Sequence, residues 1–155
     1  MRHRKVVKKL NRTREHRKAT LANLAVALFE RKKIRTTHAK AKAAQRFVER
    51  LITIAKRNDL HSRRVVLQRL RQKKAMFTLF SDIAPTFAER NGGYTRVIHL
   101  GQRDGDAAQI SMLELVGFEG VVRKKAKKEK AAEGKKVEST EETTTEETTT
   151  KKERE

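Results

Sequence analysis

The first eighteen residues, MRHRKVVKKLNRTREHRK, constrain this chain more than any other stretch. They hold nine basic residues against one acid, Glu15, a net charge of +8. Val6, Val7 and Leu10 are too few apolar side chains to offset the entropy of ordering the segment. Taken alone it is expected to be disordered and to gain shape on a polyanion, where each neutralised phosphate releases a condensed counterion. A solubility tail is the plainer alternative, but solubility does not call for so dense a positive charge.

The charge is concentrated at one end. Residues 1–57 carry 19 basic and 3 acidic groups, net +16, whereas residues 58–155 carry 20 and 16, net +4. That asymmetry favours a nucleic-acid partner over a generic basic protein, with an anionic membrane surface as the other polyanion. No apolar run approaches the roughly 20 residues of a membrane span, and the basic run through Lys18 leaves no place for the apolar stretch of a secretory signal, so a cytosolic setting is expected. The absence of cysteine rules out a disulfide frame and thiol chemistry.

After the arm the apolar residues become periodic. Thr20 is a candidate cap for a helix whose Leu21, Leu24, Ala25, Leu28 and Phe29 share one face. Thr37 is placed to cap a second helix running to about Arg57, with Ala44, Phe47, Val48, Leu51, Ile54 and Ala55 inward and Lys40, Lys42, Arg46 and Arg50 elsewhere on its surface. Asp59 caps a third, Leu60 to about Arg71, burying Val66, Leu67 and Leu70. A fourth, Lys73 to Ala84, buries Met76, Phe77, Leu79, Phe80 and Ile83 before Pro85 ends or kinks it. Beyond the Asn91-Gly92-Gly93 turn the period changes to that of strands, Tyr94–Leu100 and Ile110–Val116, which form an antiparallel hairpin around a turn at Gly101–Asp106. Two strands alone are marginal, and the β-branched run Ile34–Thr37 supplies a third. The expected fold is a two-layer α+β domain, about four helices on one face of a small three-stranded sheet.

Domain limits follow from composition: a basic arm over 1–19, a globular domain over 20–118, and a charged tail over 119–155 whose Lys-rich block (net +6 over 121–137) precedes a Glu/Thr repeat (net −4 over 138–155). The tail is expected to be disordered, and its acidic end could shield the basic block until nucleic acid displaces it.

No catalytic constellation is legible. The histidines His3, His16, His38, His61 and His99 have no ligand spacing, there is no phosphate loop or nucleophile elbow, and Asp104 and Asp106 read as turn formers. Phe29, Phe47, Phe77, Phe80 and Phe87 all fall on helical apolar faces and read as core. Tyr94 fits a contact to sugar or base and a half-buried strand position equally well. Arginines outnumber lysines in the arm and can fork onto phosphate oxygens. By chemistry alone the function is binding, with phosphate as the ligand group.

A series of short motifs, in order, carries a resemblance: Met1-Arg-His-Arg4, Leu10-Asn11-Arg12, His16-Arg17, Thr36-Thr37 with Lys40-Ala41-Lys42, Leu51-Ile52-Thr53 with Ala55-Lys56, Gly92-Gly93-Tyr94-Thr95-Arg96-Val97, Arg103 with Gly105-Asp106, and Glu114-Leu115-Val116. Together these resemble the bacterial large-ribosomal-subunit protein seventeen family over residues 1 to about 116. The resemblance implies an α+β domain, a structural role on large-subunit ribosomal RNA near the solvent-side opening of the exit tunnel, ribosomal protein neighbours, no cofactor and no catalysis. By position, the RNA-facing candidates are Arg2, His3, Arg4, Lys5, Lys8, Lys9, Asn11, Arg12, Arg14, His16, Arg17 and Lys18 on the arm, Thr37, Lys40, Lys42 and Arg46 on the second helix, and Tyr94, Arg96 and Arg103 on the hairpin. The family's usual proline and methionine after the Gly-Asp turn stand here as Gln109 and Ile110, and the family's short form lacks the tail beyond about residue 120. A nucleoid-type DNA-binding protein is the rival reading; it would bind duplex DNA as well as folded RNA. An RNA-processing enzyme would turn RNA over, and a purely protein-binding module would tolerate loss of residues 1–18.

Overall fold

The structure, a computed structural model, describes residues 8–118. Helix α1 spans Arg14–Arg31, strand β1 Lys33–Thr37, helix α2 His38–Ala55 and helix α3 Leu60–Leu70. A fourth helix, α4, Lys73–Thr78, continues through a π-helical turn, Leu79–Ile83, into a last short turn, Ala84–Thr86. Strands β2, Thr95–Gln102, and β3, Gln109–Leu115, follow. The sheet order is β1-β3-β2 with both pairings antiparallel. Four helices against a three-stranded antiparallel sheet is the expected α+β architecture.

The start of α1 differs from the sequence reading. Thr13, not Thr20, occupies the cap position and accepts from the His16 N–H at 3.4 Å, while Thr20 lies inside the helix and donates to the His16 carbonyl at 2.8 Å. Arg14–Lys18 is polar enough to read as arm, but no Gly or Pro interrupts it, and a helix already held by Leu28 and Phe29 propagates back at little cost once its nucleus exists. At the other end Lys32 takes a left-handed φ of 65° and its N–H caps the Leu28 carbonyl, a turn that swings the chain straight into β1.

Thr37 does sit at the cap position of α2, without a side-chain cap bond. Asp59 precedes α3 in the same way; it makes no side-chain bond to the helix backbone, and its carboxylate accepts instead from the buried Ser62 hydroxyl. That bond, followed by smaller contributions, holds its pKa below the ordinary carboxylate value. The fourth helix bends its own rule around Pro85. Proline has no N–H for the carbonyl four residues back, and its ring crowds that carbonyl; the turn just before it widens to π geometry, with the Ala84 N–H reaching Leu79. The chain leaves the helix at Phe87.

The core joins α1 (Leu28, Phe29), α2 (Val48, Leu51, Ile52), α3 (Val66), the π turn (Leu79, Ile83) and β3 (Leu113, Leu115), all of them essentially inaccessible to water. Phe77 departs from expectation: it is 62% exposed, because Ala75 and Leu79 take the inward positions of this turn. Phe87 is buried against Tyr94, ring centroids 5.2 Å apart.

Pairing fixes the two faces of the sheet. Ile34, Leu113 and Val97 share one row, as do Thr36, Ser111 and His99, on the face that carries Leu113 into the core; Lys33, Glu114 and Arg96 share a row on the other. The expected turn at Gly101–Asp106 starts two residues late. Leu100 is bulged out between the pairs His99–Ser111 and Gly101–Ile110, and Gly101 at φ 119° supplies the conformation that lets the ladder resume. The hairpin closes at Gln102–Gln109, so Gln109 opens the last strand as an ordinary paired residue. The tail over 119–155 lies outside the described residues.

Candidate nucleic-acid interface

The arm is anchored where it meets α1. Leu10 and Asn11 both have positive φ, 57° and 50°, and the Arg12 N–H donates to the Lys9 carbonyl at 3.3 Å. Two successive left-handed residues inside a four-residue reversal make a type I′ turn, which asparagine adopts readily and leucine only at a cost. Side chains from α1 hold it. Arg17 Nη1 donates to the carbonyls of Arg12 (3.1 Å) and Lys9 (3.4 Å), and Arg12 Nη1 donates to Thr20 Oγ1. The expectation that the arm takes shape only on a polyanion is therefore corrected for Lys8–Lys18, which the protein itself orders through backbone carbonyls that a composition argument does not count. Arg2, His3, Arg4 and Lys5 lie outside the described residues.

Around this anchor Lys8, Lys9, Asn11, Arg14, His16 and Lys18 are exposed, while Arg12 and Arg17 are half-buried by their bonds to the turn. Arg14 and Lys18, four residues apart, share a face of α1. On α2, Lys42 and Arg46 form a second exposed pair at the same spacing, and Lys40 is half-buried beside them. The two sets are linked through His38, the first residue of α2: both Lys8 of the arm and Lys42 of the helix act on its charge.

The hairpin candidates do not join this surface in the same way. Tyr94 is only 2% exposed; its ring packs on Phe87 with the Lys56 ammonium 5.7 Å from its centroid, so its role as a contact to sugar or base is corrected to a core one. The residue follows two glycines that turn the chain inward, and Phe87 offers it an aromatic partner. Arg96 is exposed but pairs with Glu114 at 3.5 Å, on the sheet face away from the core. Arg103 forks onto Asp106, with Nε to Oδ1 at 2.9 Å and Nη2 to Oδ2 beside it. The bond from Arg103, then one from the Ala108 N–H, holds the Asp106 carboxyl down to about 2. Asp106 is thus a turn former, as its sequence position suggested, and its partner is the arginine expected to reach RNA.

Two residues absent from the sequence-based set come together here. His38 and His99 stack with ring centroids 4.3 Å apart and an interplanar angle of 27°, and His38 Nδ1 shares a 3.0 Å hydrogen bond with the Ser111 hydroxyl. Sixty-one positions separate them in the chain. Only the β2–β3 register, which sets His99 opposite Ser111, reveals the pair.

Among the described residues no group of three or more His, Asp or Glu could hold a metal ion, and no helix is long and apolar enough to cross a membrane. A small α+β domain with its basic groups gathered on an anchored arm and a helix start is the build of a nucleic-acid-binding scaffold. The profile of the ribosomal protein L17 family matches residues 20–116. Among similar proteins, the large ribosomal subunit protein bL17 of Chloroherpeton thalassium is 49% identical over 128 residues, 83% of this chain and 76% of that protein. Those of Flavobacterium johnsoniae (49%, covering 83% and 80%) and Desulforapulum autotrophicum (47%, covering 75% and 97%) are similar to the same degree. The chain belongs to the ribosomal protein L17 family, a family of ribosomal structural proteins rather than of enzymes.

Proposed function

We propose that this protein is a structural constituent of the large ribosomal subunit, binding and stabilising folded large-subunit ribosomal RNA in the cytoplasm and touching neighbouring ribosomal proteins. It carries out no catalysis in this reading and needs no cofactor. The observation that carries the reading beyond family membership is the anchored arm: Arg17 and Arg12 spend donors on holding the Lys9–Arg12 turn, and so present Lys8, Lys9, Arg14 and Lys18 as a fixed cationic edge instead of a loose chain. Preordering lowers the entropy lost when phosphates bind. Residues 1–19 act as the RNA-binding arm, 20–118 as the globular body, and 119–155 as a charged tail whose acidic end screens its basic block. The site lies near the exit-tunnel opening, as the resemblance implies. Lys42, Arg46 and Arg96 extend the contact surface, and Arg103, committed to Asp106, is its weakest contributor.

Sedimentation through a high-salt gradient tests the reading. The chain is expected to travel in stoichiometric amount with the large subunit; recovery at the top of the gradient, or with DNA, sinks it and favours the nucleoid-type alternative. With purified RNA, six to ten phosphate contacts predict a loss of roughly 10³ to 10⁵ in affinity between 50 and 200 mM salt. Deleting residues 138–155 should alter that salt dependence if the acidic end screens the basic block.

A further inference from the structure

The stacked histidines His38 and His99 are not among the residues of the hydrophobic core. His38 is half-buried and His99 exposed. Ser111, fully buried beneath them, fixes the His38 ring through Nδ1 at 3.0 Å. A hydroxyl can donate to a neutral Nδ1 or accept from a protonated one, so this bond keeps the ring in place in both charge states, with Nε2 on the far side of the ring from Ser111. The charges acting on His38 come from three different elements, His99 on β2, Lys42 on α2 and Lys8 on the arm, and all are cationic. Thr37 makes no side-chain cap bond, which leaves the positive end of the α2 dipole uncompensated by a side chain beside the same spot.

We infer that His38 and His99, with Lys42 and Lys8, form a phosphate-binding site for the RNA backbone that takes up protons as it fills. Two imidazoles 4.3 Å apart, one of them under the charges of Lys42 and Lys8, resist carrying charge together, and an anion placed against them removes that repulsion while using both rings as donors. In the free chain burial first, then His99, Lys42 and Lys8, hold the His38 imidazole below its ordinary pKa. Phosphate binding reverses the later causes. Protons enter with the ligand, so affinity rises as pH falls through the histidine range. This rests on the RNA-binding reading above and assigns a role to two residues outside the sequence-based set.

The test uses the full chain and deproteinised large-subunit ribosomal RNA at one fixed salt concentration, with Kd measured at about pH 6 and about pH 7.5, either side of the ordinary histidine value. Wild type should bind about three- to tenfold tighter at the lower pH, since one proton taken up is worth up to about tenfold per pH unit. His99→Gln, at an exposed position that does not threaten folding, and His38→Gln should each bring the ratio of the two Kd values toward one. His61→Gln, at an exposed position of α3 outside the binding surface, should leave the ratio as in wild type. An unchanged ratio in His99→Gln, or an equal change in His61→Gln, overturns the inference while leaving the ribosomal reading intact. Failure of wild type to bind at either pH overturns both. Imidazole NMR signals give a second readout: RNA should raise the titration midpoint of His38, and a midpoint that stays put would refute the site even if the affinities followed the expected trend.

Discussion

Arg17 reaches back over the turn that precedes its own helix and donates to the Arg12 carbonyl at 3.1 Å, with the Lys9 carbonyl at 3.4 Å from the same nitrogen. One guanidinium thereby ties the arm to the domain. Substituting Arg17→Ala should release it without unfolding the body, because the side chain is half-buried and belongs to no core contact. The stability change is expected to be within about 1 kcal/mol. Amide exchange at Arg12, whose N–H bonds to Lys9, should accelerate well beyond that of Leu28 or Val48. Loss of a single phosphate contact would reduce the salt slope of RNA binding by about 1; losing the arm's register should reduce it further. A slope reduced by no more than one would mean that the arm's order does not matter to binding.

The helix start offers a direct contest between two threonines. Thr13 carries the cap bond and Thr20 does not, so Thr13→Ala should fray the first turn of α1 at a cost of about 0.5–1 kcal/mol, the lower part of the range for caps because its bond is long and exposed. Thr20→Ala should leave that turn intact and free Arg12 instead. Exchange rates of the amides from His16 to Lys18 separate the two outcomes. Equal fraying in both variants would show that the helix begins nearer Thr20.

Much of this architecture was legible in the sequence because burial enforces periodicity. Leu28, Phe29, Val48, Leu51 and Val66 are buried where a 3.6-residue period puts them, and β-branched runs became strands. What escaped depended on partners distant in sequence. Arg17's value as an anchor requires the Lys9–Arg12 carbonyls to be folded against it, and the His38–His99 stack requires the bulge at Leu100 to set the register. Tyr94 and Phe77 were misjudged in opposite directions for one reason: local pattern marks a side chain as apolar or aromatic, and only tertiary packing decides which of them finds a partner. Tyr94 finds Phe87. Phe77 is left outside by Ala75 and Leu79.

That contrast yields a prediction about stability. Leu113→Ala, at a fully buried position of the central strand, should cost about 2–5 kcal/mol through lost transfer energy and the cavity left behind. Phe77→Ser, although it removes the larger side chain, should stay within about 0.5 kcal/mol because most of its surface is already in water. Denaturant unfolding of the two variants checks the order. If Phe77→Ser proved the more damaging, the inward placement of Ala75 and Leu79 would be wrong.

The Arg103–Asp106 fork makes a pH prediction with a definite sign. Asp106 sits at about 2 in the folded chain against an ordinary value of 3.8, chiefly through its bond to Arg103. A carboxyl held lower when folded contributes stability that is present above about pH 4 and is lost as pH falls toward 2. Because the pair is exposed on a hairpin turn, the contribution is small and screened by salt. Carboxyl NMR should find the Asp106 midpoint near 2 in wild type and shifted up toward the ordinary carboxylate range in Arg103→Gln, where the Ala108 N–H remains as its donor at 3.2 Å. The same variant tests Arg103 as an RNA contact. A guanidinium already committed to Asp106 gains little by exchanging one anion for another, so Arg103→Gln should weaken RNA binding less than Lys42→Gln does. The reverse order would mean that RNA captures the fork from Asp106, and the Asp106 midpoint should then rise when RNA is added.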